Sequence, residues 1–295
     1  MPTLSRRALL LGGGGSLVAA VAAGAVLLEE GVLPGRAAVE RKLGITGPAG
    51  VVPTAGTGPR VSGTFTSAAR GGTPTGWTIS YPPGSAEGDH LPVVVSLHGY
   101  GGDHRSSFDH GMHLDRFQAH ARAEGGPAVA IASVDGGNDY WHARTSGRDP
   151  QRMLVDEFLP LLRRRGLDTA RLGLSGWSMG AYGALLVGST LGPERVRAVA
   201  ASSVALWPTR ARSASGAFDG DEDFARNDLT TRTAALGALA VRIVCGTADA
   251  FCPGNEQLVQ RITPTPPSSF TLGAHDWDYW RRVAPEQLRF LAGRL

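Results

Sequence analysis

Arg171-Leu172-Gly173-Leu174-Ser175-Gly176-Trp177-Ser178-Met179-Gly180-Ala181 begins as a short apolar strand, passes a serine set between two glycines, and enters an Ala-rich helix. A turn that sharp leaves no room for side chains at 176 and 180, and it lifts the Ser178 hydroxyl clear of the sheet. The serine itself must hold a strained backbone, a cost that proteins meet mainly at functional sites. With 41 glycines in 295 residues the pentapeptide is easily met by chance, so its context has to carry the reading.

That context is regular. Short β-rich runs at Trp77–Tyr81, Pro92–Leu97, Ala128–Val134, Arg171–Leu174, Val196–Ala200, Val241–Cys245 and Ser268–Leu272 alternate with amphipathic runs at Met112–Ala123, Arg152–Arg165, Ala181–Thr190, Glu256–Ile262 and Asp278–Leu291. The second set places apolar residues three and four apart, as helices do. Such alternation predicts an α/β doubly wound, mostly parallel sheet with helices on both faces, its site at the carboxyl ends of the strands. Trp207–Asp228 breaks the rhythm; it is polar, longer than a usual connection, and reads either as a lid over a site or as a solvated loop.

The ends and the charge bound the rest. Ser5-Arg6-Arg7 followed by an apolar run from Ala8 to Leu28 has the layout of a twin-arginine export signal, the alternative being a membrane anchor over the same residues. Residues 29–60 read as a Gly- and Pro-rich flexible linker, and residues 61–295 as one catalytic domain. A net charge of +3, with no basic stretch interleaved with aromatics, argues against nucleic acid as a partner. Cys245 and Cys252 are too few for a zinc site; outside the cytoplasm they are disulfide candidates, and otherwise two buried thiols.

A nucleophilic serine needs a histidine to take its proton, a carboxylate to hold that histidine, and N–H donors for the oxyanion. After Ser178 the chain has one histidine, His275, between the last predicted strand and the last predicted helix. Asp249, in the Gly246-Thr247-Ala248-Asp249 turn after a strand, is the expected acid; Glu256, at a helix start capped by Asn255, and Asp276 compete. Glycines in Leu97-His98-Gly99-Tyr100-Gly101-Gly102 free backbone N–H groups, so Tyr100 and Met179 are the expected oxyanion donors. His98, His104, His110 and His113 lack the acidic or thiol partners of a metal site, and no metal is expected. His98, Asp135, Trp141, Trp177 and Trp277 are candidate substrate contacts, with packing as the plain alternative.

In this order the motifs Leu97-His98-Gly99-Tyr100-Gly101-Gly102-Asp103, Gly176 to Gly180, Gly246 to Asp249 and His275 to Trp280 resemble the esterase D and mycolyltransferase-like branch of the α/β-hydrolase superfamily, in its exported actinobacterial form. The resemblance covers Val61 to the C-terminus. It implies carboxylic ester hydrolysis, or acyl transfer, through an acyl-serine and without a cofactor, on a small-molecule, lipid or sugar ester. Mycolyltransferases carry a glutamate as the acid, so Asp249 fits the esterase group, while Glu256 keeps the transferase reading open. A cell-envelope binding protein that keeps the fold without catalysis is the reading from outside enzymology.

Overall fold

The computed structural model describes residues 44–295, and the expected export signal and the start of the expected linker lie outside the described residues. Eight strands form one sheet in the order β1-β2-β4-β3-β5-β6-β7-β8. They are β1 (Arg60–Ser67), β2 (Thr73–Ser80), β3 (Pro92–Leu97), β4 (Ala130–Val134), β5 (Asp168–Trp177), β6 (Val196–Ser202), β7 (Ala240–Gly246) and β8 (Ser268–Thr271). From β4 to β8 every neighbouring pair is parallel; β1 and β2 add an antiparallel edge. All seven expected strands are present. β1 is the additional one, because a half-exposed edge strand of sequence RVSGTFTS offers only Val61 and Phe65 as apolar markers.

Period-two alternation sorts the sheet's side chains onto two faces. Val93, Val95, Leu97, Leu172, Leu174, Val241 and Ile243 share one core with the helices α2 (residues 150–164), α3 (Met179–Leu191), α5 (Thr233–Gly237) and α6 (Cys252–Arg261). α2 runs through Pro150–Met153, Leu154–Phe158 and Leu159–Arg164, its middle stretch wound as a π-helix. The short α4 (Asp221–Arg226) lies within the expected lid segment. Ile131, Trp177 and Val244 point to the opposite face, under α1 (Leu114–Ala123) and α7 (Trp277–Ala292).

α7 matters most for the site because the residue that precedes it by two is His275. The helix buries Tyr279, Trp280, Ala284, Leu288 and Leu291 against the sheet. Each large apolar side chain so buried contributes roughly 1.5–3 kcal/mol, enough together to hold the preceding loop in one place. Part of the expected linker also has fixed partners here: Gly50 N–H donates to Asp278 O at 2.8 Å, and Arg282 reaches the carbonyls of Thr46 and Pro48.

Candidate active site

Ser178 sits between β5 and α3 with φ 56° and ψ −124°. That left-handed backbone costs a non-glycine residue on the order of 1–3 kcal/mol, and the surroundings hold it there. Ser178 N–H donates to Ser202 O at 3.0 Å, while Ser178 O accepts from Tyr182 N–H and Ala205 N–H. The flanking glycines are steric necessities: a Cβ at 176 would overlap the Gly180 carbonyl, and one at 180 would overlap Leu97 O. Strand, turn and helix thus agree with the expected elbow, and β5 extends to Trp177, next to the serine.

His275 Nε2 lies 2.9 Å from Ser178 Oγ, and His275 Nδ1 lies 2.8 Å from Asp249 Oδ2. These residues are 97 and 26 positions apart in sequence. Asp249 is 3% exposed. Burial opposes its ionisation, yet the His275 ring and the Phe251 N–H (2.9 Å to Oδ1) outweigh that cost, and its carboxyl lies below the ordinary aspartate value. An ionised Asp249 accepts the Nδ1 proton, leaving Nε2 as the lone-pair nitrogen facing the serine hydroxyl. Backbone bonds sew the two loops together: Thr247 N–H to Thr271 O and Ala248 N–H to Gly273 O, both 2.8 Å.

The competing acids are elsewhere. Glu256 is exposed on α6, and Asp276 caps α7 by accepting Tyr279 N–H at 2.9 Å. Asn255 is no cap: α6 starts three residues earlier, at Cys252, and the buried Asn255 amide clasps Val204 N–H (3.0 Å) and Val204 O (2.9 Å). This clasp ties the strand end beside the serine to the helix after Asp249. Cys245 and Cys252 are two free buried thiols in this structure, and Cys245 Sγ–H donates to Ser203 Oγ at 3.8 Å. The Cys252 sulfur beside it and burial push the Cys245 thiol up, which keeps it protonated and unreactive.

The loop after β3 carries the expected oxyanion donor. His98 is wholly buried, with Nδ1 2.8 Å from Gly99 O and Nε2 accepting Gly136 N–H at 2.9 Å. This pairing fixes the Nδ1–H tautomer, and burial lowers the ring's pKa. Because the peptide is planar and trans, fixing the Gly99 carbonyl also aims the Tyr100 N–H, on the opposite side of the same unit. Among the described residues neither the Tyr100 nor the Met179 N–H donates to any protein group.

Asp135 holds the loop's far end, accepting His104 N–H and facing His104 Nδ1, each at 2.8 Å, while its other oxygen accepts Gly76 N–H. Burial opposes its charge, but these bonds win and take the carboxyl down to about 2. A carboxylate with a depressed folded value adds stability above its unfolded pKa of about 3.9 and loses it as pH falls toward the folded value. Thermal melts between pH 4 and 2 are therefore expected to fall more steeply for the wild type than for Asp135→Asn; equal slopes would remove this clamp from the account.

As substrate contacts, most of the expected aromatics are corrected to core. Trp141 packs flat against Gly136 and Gly183, Trp177 is enclosed by Trp277 and Trp280, and only Trp277 is part-exposed. His98 and Asp135 are likewise engaged in the scaffold. The apolar side of the site comes instead from Trp207, whose ring stands on Phe251 (4.9 Å), which in turn faces His275 (5.3 Å). Trp207 Nε1–H donates to Tyr140 Oη at 3.2 Å. The segment Trp207–Asp228 is tied to the loop after β4: Arg144 grips Asp219 and the Gly216 and Ala217 carbonyls, and His142 Nε2 meets Ala217 O. Sequence reasoning missed Phe251, which no motif marks. A cavity of about 220 Å³ lies between α1 and α7, lined by Phe117, Ile131 and Leu288 and by none of these site residues.

The family model described as "Putative esterase" matches residues 68–291. Among solved structures, a ferulic acid esterase shares 20% identity, with a TM-score of 0.69, over 80% of this chain and 99% of its own. An S-formylglutathione hydrolase from Agrobacterium tumefaciens shares 18%, with a TM-score of 0.65, over 82% of this chain and 97% of its own. A fluorophosphonate-binding serine hydrolase of Staphylococcus aureus shares 16%, with a TM-score of 0.61, over 80% and 99%. Curated protein sequences give no match. The sheet order, the serine elbow and a family match that spans both lead to one conclusion: the chain belongs to the esterase family of α/β-hydrolases and is a serine ester hydrolase.

Proposed function

We propose that Ser178 is the nucleophile for carboxylic esters, with His275 as its base and Asp249 as the group that orients and stabilises the imidazolium. Ser178 Oγ attacks the ester carbonyl while its proton passes to His275 Nε2. The Tyr100 and Met179 N–H groups receive the oxyanion, the latter at the positive end of α3. Collapse of the tetrahedral intermediate expels the alcohol, which takes the proton from His275; water, deprotonated by the same nitrogen, then releases the acid and restores Ser178. The observation that carries this reading is the unbroken relay from Ser178 Oγ through His275 to Asp249, with both links at or below 2.9 Å. The Trp207 and Phe251 side of the site suits an apolar acyl group.

Incubation with p-nitrophenyl esters of graded acyl length, with and without glycerol or a sugar as acceptor, tests it. Free acid as the product in both arms is expected; a new ester in the acceptor arm would make the enzyme an acyltransferase. Equal nitrophenol release by wild type and Ser178→Ala would end the assignment. Export is proposed as well, on the strength of Ser5-Arg6-Arg7 and the apolar run behind it; among the described residues no helix is long and apolar enough to cross a membrane.

A further inference from the structure

We infer that Asn138 is a positioning residue for the oxyanion donor, holding the turn on which Tyr100 stands. The inference rests on the proposed roles of Ser178 and the Tyr100 N–H. Gly99 to Gly102 close a four-residue turn, with Gly102 N–H donating to Gly99 O at 3.1 Å and Gly101 at φ 72°. A positive φ at the third residue is the mark of a type II turn. Its middle peptide, between Tyr100 and Gly101, can swing over to the type I arrangement with little change at the turn's ends, and glycine tolerates both. The sequence of the turn does not choose between the two. Asn138 does: its Oδ1 accepts Gly101 N–H at 2.7 Å, a bond that exists only with the middle peptide in its present orientation.

Both peptides of Tyr100 are then held, the first by buried His98 and the second by Asn138. The two pins differ in kind. His98 is enclosed and belongs to the fold, whereas Asn138 is exposed at the tip of the loop after β4, following Gly137 at φ 69°. An exposed amide spent on one loop N–H adds little to global stability, because water would satisfy that donor as well. What water would not supply is a fixed direction. Loss of preorganisation in the oxyanion hole affects the transition state and leaves ground-state binding largely alone.

The test uses Asn138→Ala and Asn138→Leu in the full chain, with Ser178→Ala alongside and a soluble p-nitrophenyl ester as substrate. Deleting an oxyanion donor outright costs on the order of 10²–10³ in kcat, so a donor left in place but loosened should cost about 10- to 100-fold. KM is expected to stay within about twofold. Inhibition by a trifluoromethyl ketone, whose tetrahedral adduct carries the same oxyanion, should weaken by the same factor as kcat/KM. Melting temperatures should not move, and Ala and Leu should behave alike because only the acceptor matters. A raised KM with unchanged kcat would make Asn138 a substrate contact and overturn the inference, as would unchanged kinetics in both variants. If Ser178→Ala stays active the catalytic reading itself fails; if it is dead while Asn138→Ala is normal, only the positioning role falls.

Discussion

Ser178→Ala should lose ester hydrolysis by a factor on the order of 10⁶ in kcat, the scale seen when the serine of such a relay is removed. What survives is the catalysis that binding and oxyanion donors supply without a nucleophile, about 10³–10⁴ over water. Intact-mass analysis after a fluorophosphonate should show one adduct on the wild type and none on the variant. Ser178→Gly sharpens the test. At φ 56° a side chain of any kind is strained, so alanine keeps the strain and glycine releases it. The glycine variant should therefore be as inactive as alanine yet more stable than it, by about 1 kcal/mol in denaturant melts. A residue that lowers stability where glycine would raise it is retained for its hydroxyl. Full labelling of Ser178→Ala would move the nucleophile elsewhere.

The elbow was legible because its requirements are local: small residues where backbones approach, an apolar strand before and an Ala-rich helix after. The order of the triad was legible for a topological reason, since parallel strands send every strand-to-helix loop to the carboxyl end of the sheet and so bring Asp249 and His275 back to Ser178. Other features had no local signal. β1 is an edge strand that buries one face only, and its Gly, Ser and Thr content hides the alternation. Asn255 has the residue type of a helix cap, but Cys252 and Pro253 already start α6, and the amide is worth more inside, pairing the Val204 backbone. Trp141 and Trp177 occur in loops and strand ends where a substrate wall is plausible, yet glycines at 136 and 183 leave a slot that Trp141 fills, and Trp277 with Trp280 covers Trp177. Tyr140 and Trp207 meet across 67 positions through one hydrogen bond, and pairings of that range are not written in the composition of either segment.

Asp249→Asn is the second large effect, expected to cost about 10⁴ in kcat with the fold intact, as such a change does in other serine triads. The hydrogen bonds show why an isostere fails. Phe251 N–H donates to Oδ1, so an asparagine at 249 is held with its carbonyl oxygen on that amide and its NH₂ toward His275. Nδ1 of His275 must then accept a hydrogen bond where it now donates one, and the ring's own proton moves to Nε2. An Nε2–H facing Ser178 Oγ cannot receive the serine proton, and the imidazolium that forms during attack loses its buried counter-charge. Both consequences act on the transition state, so KM should change far less than kcat. The neighbouring acids give the contrast. Glu256→Gln should leave turnover untouched, and Asp276→Ala should cost about 1 kcal/mol of stability through the lost cap on α7 while kcat falls little. Steady-state kinetics on the three variants separate the roles: near-normal turnover in Asp249→Asn with a collapse in Asp276→Ala would transfer the acid to position 276. The structure expects the reverse, because Asp249 Oδ2 lies 2.8 Å from His275 Nδ1 while Asp276 caps α7.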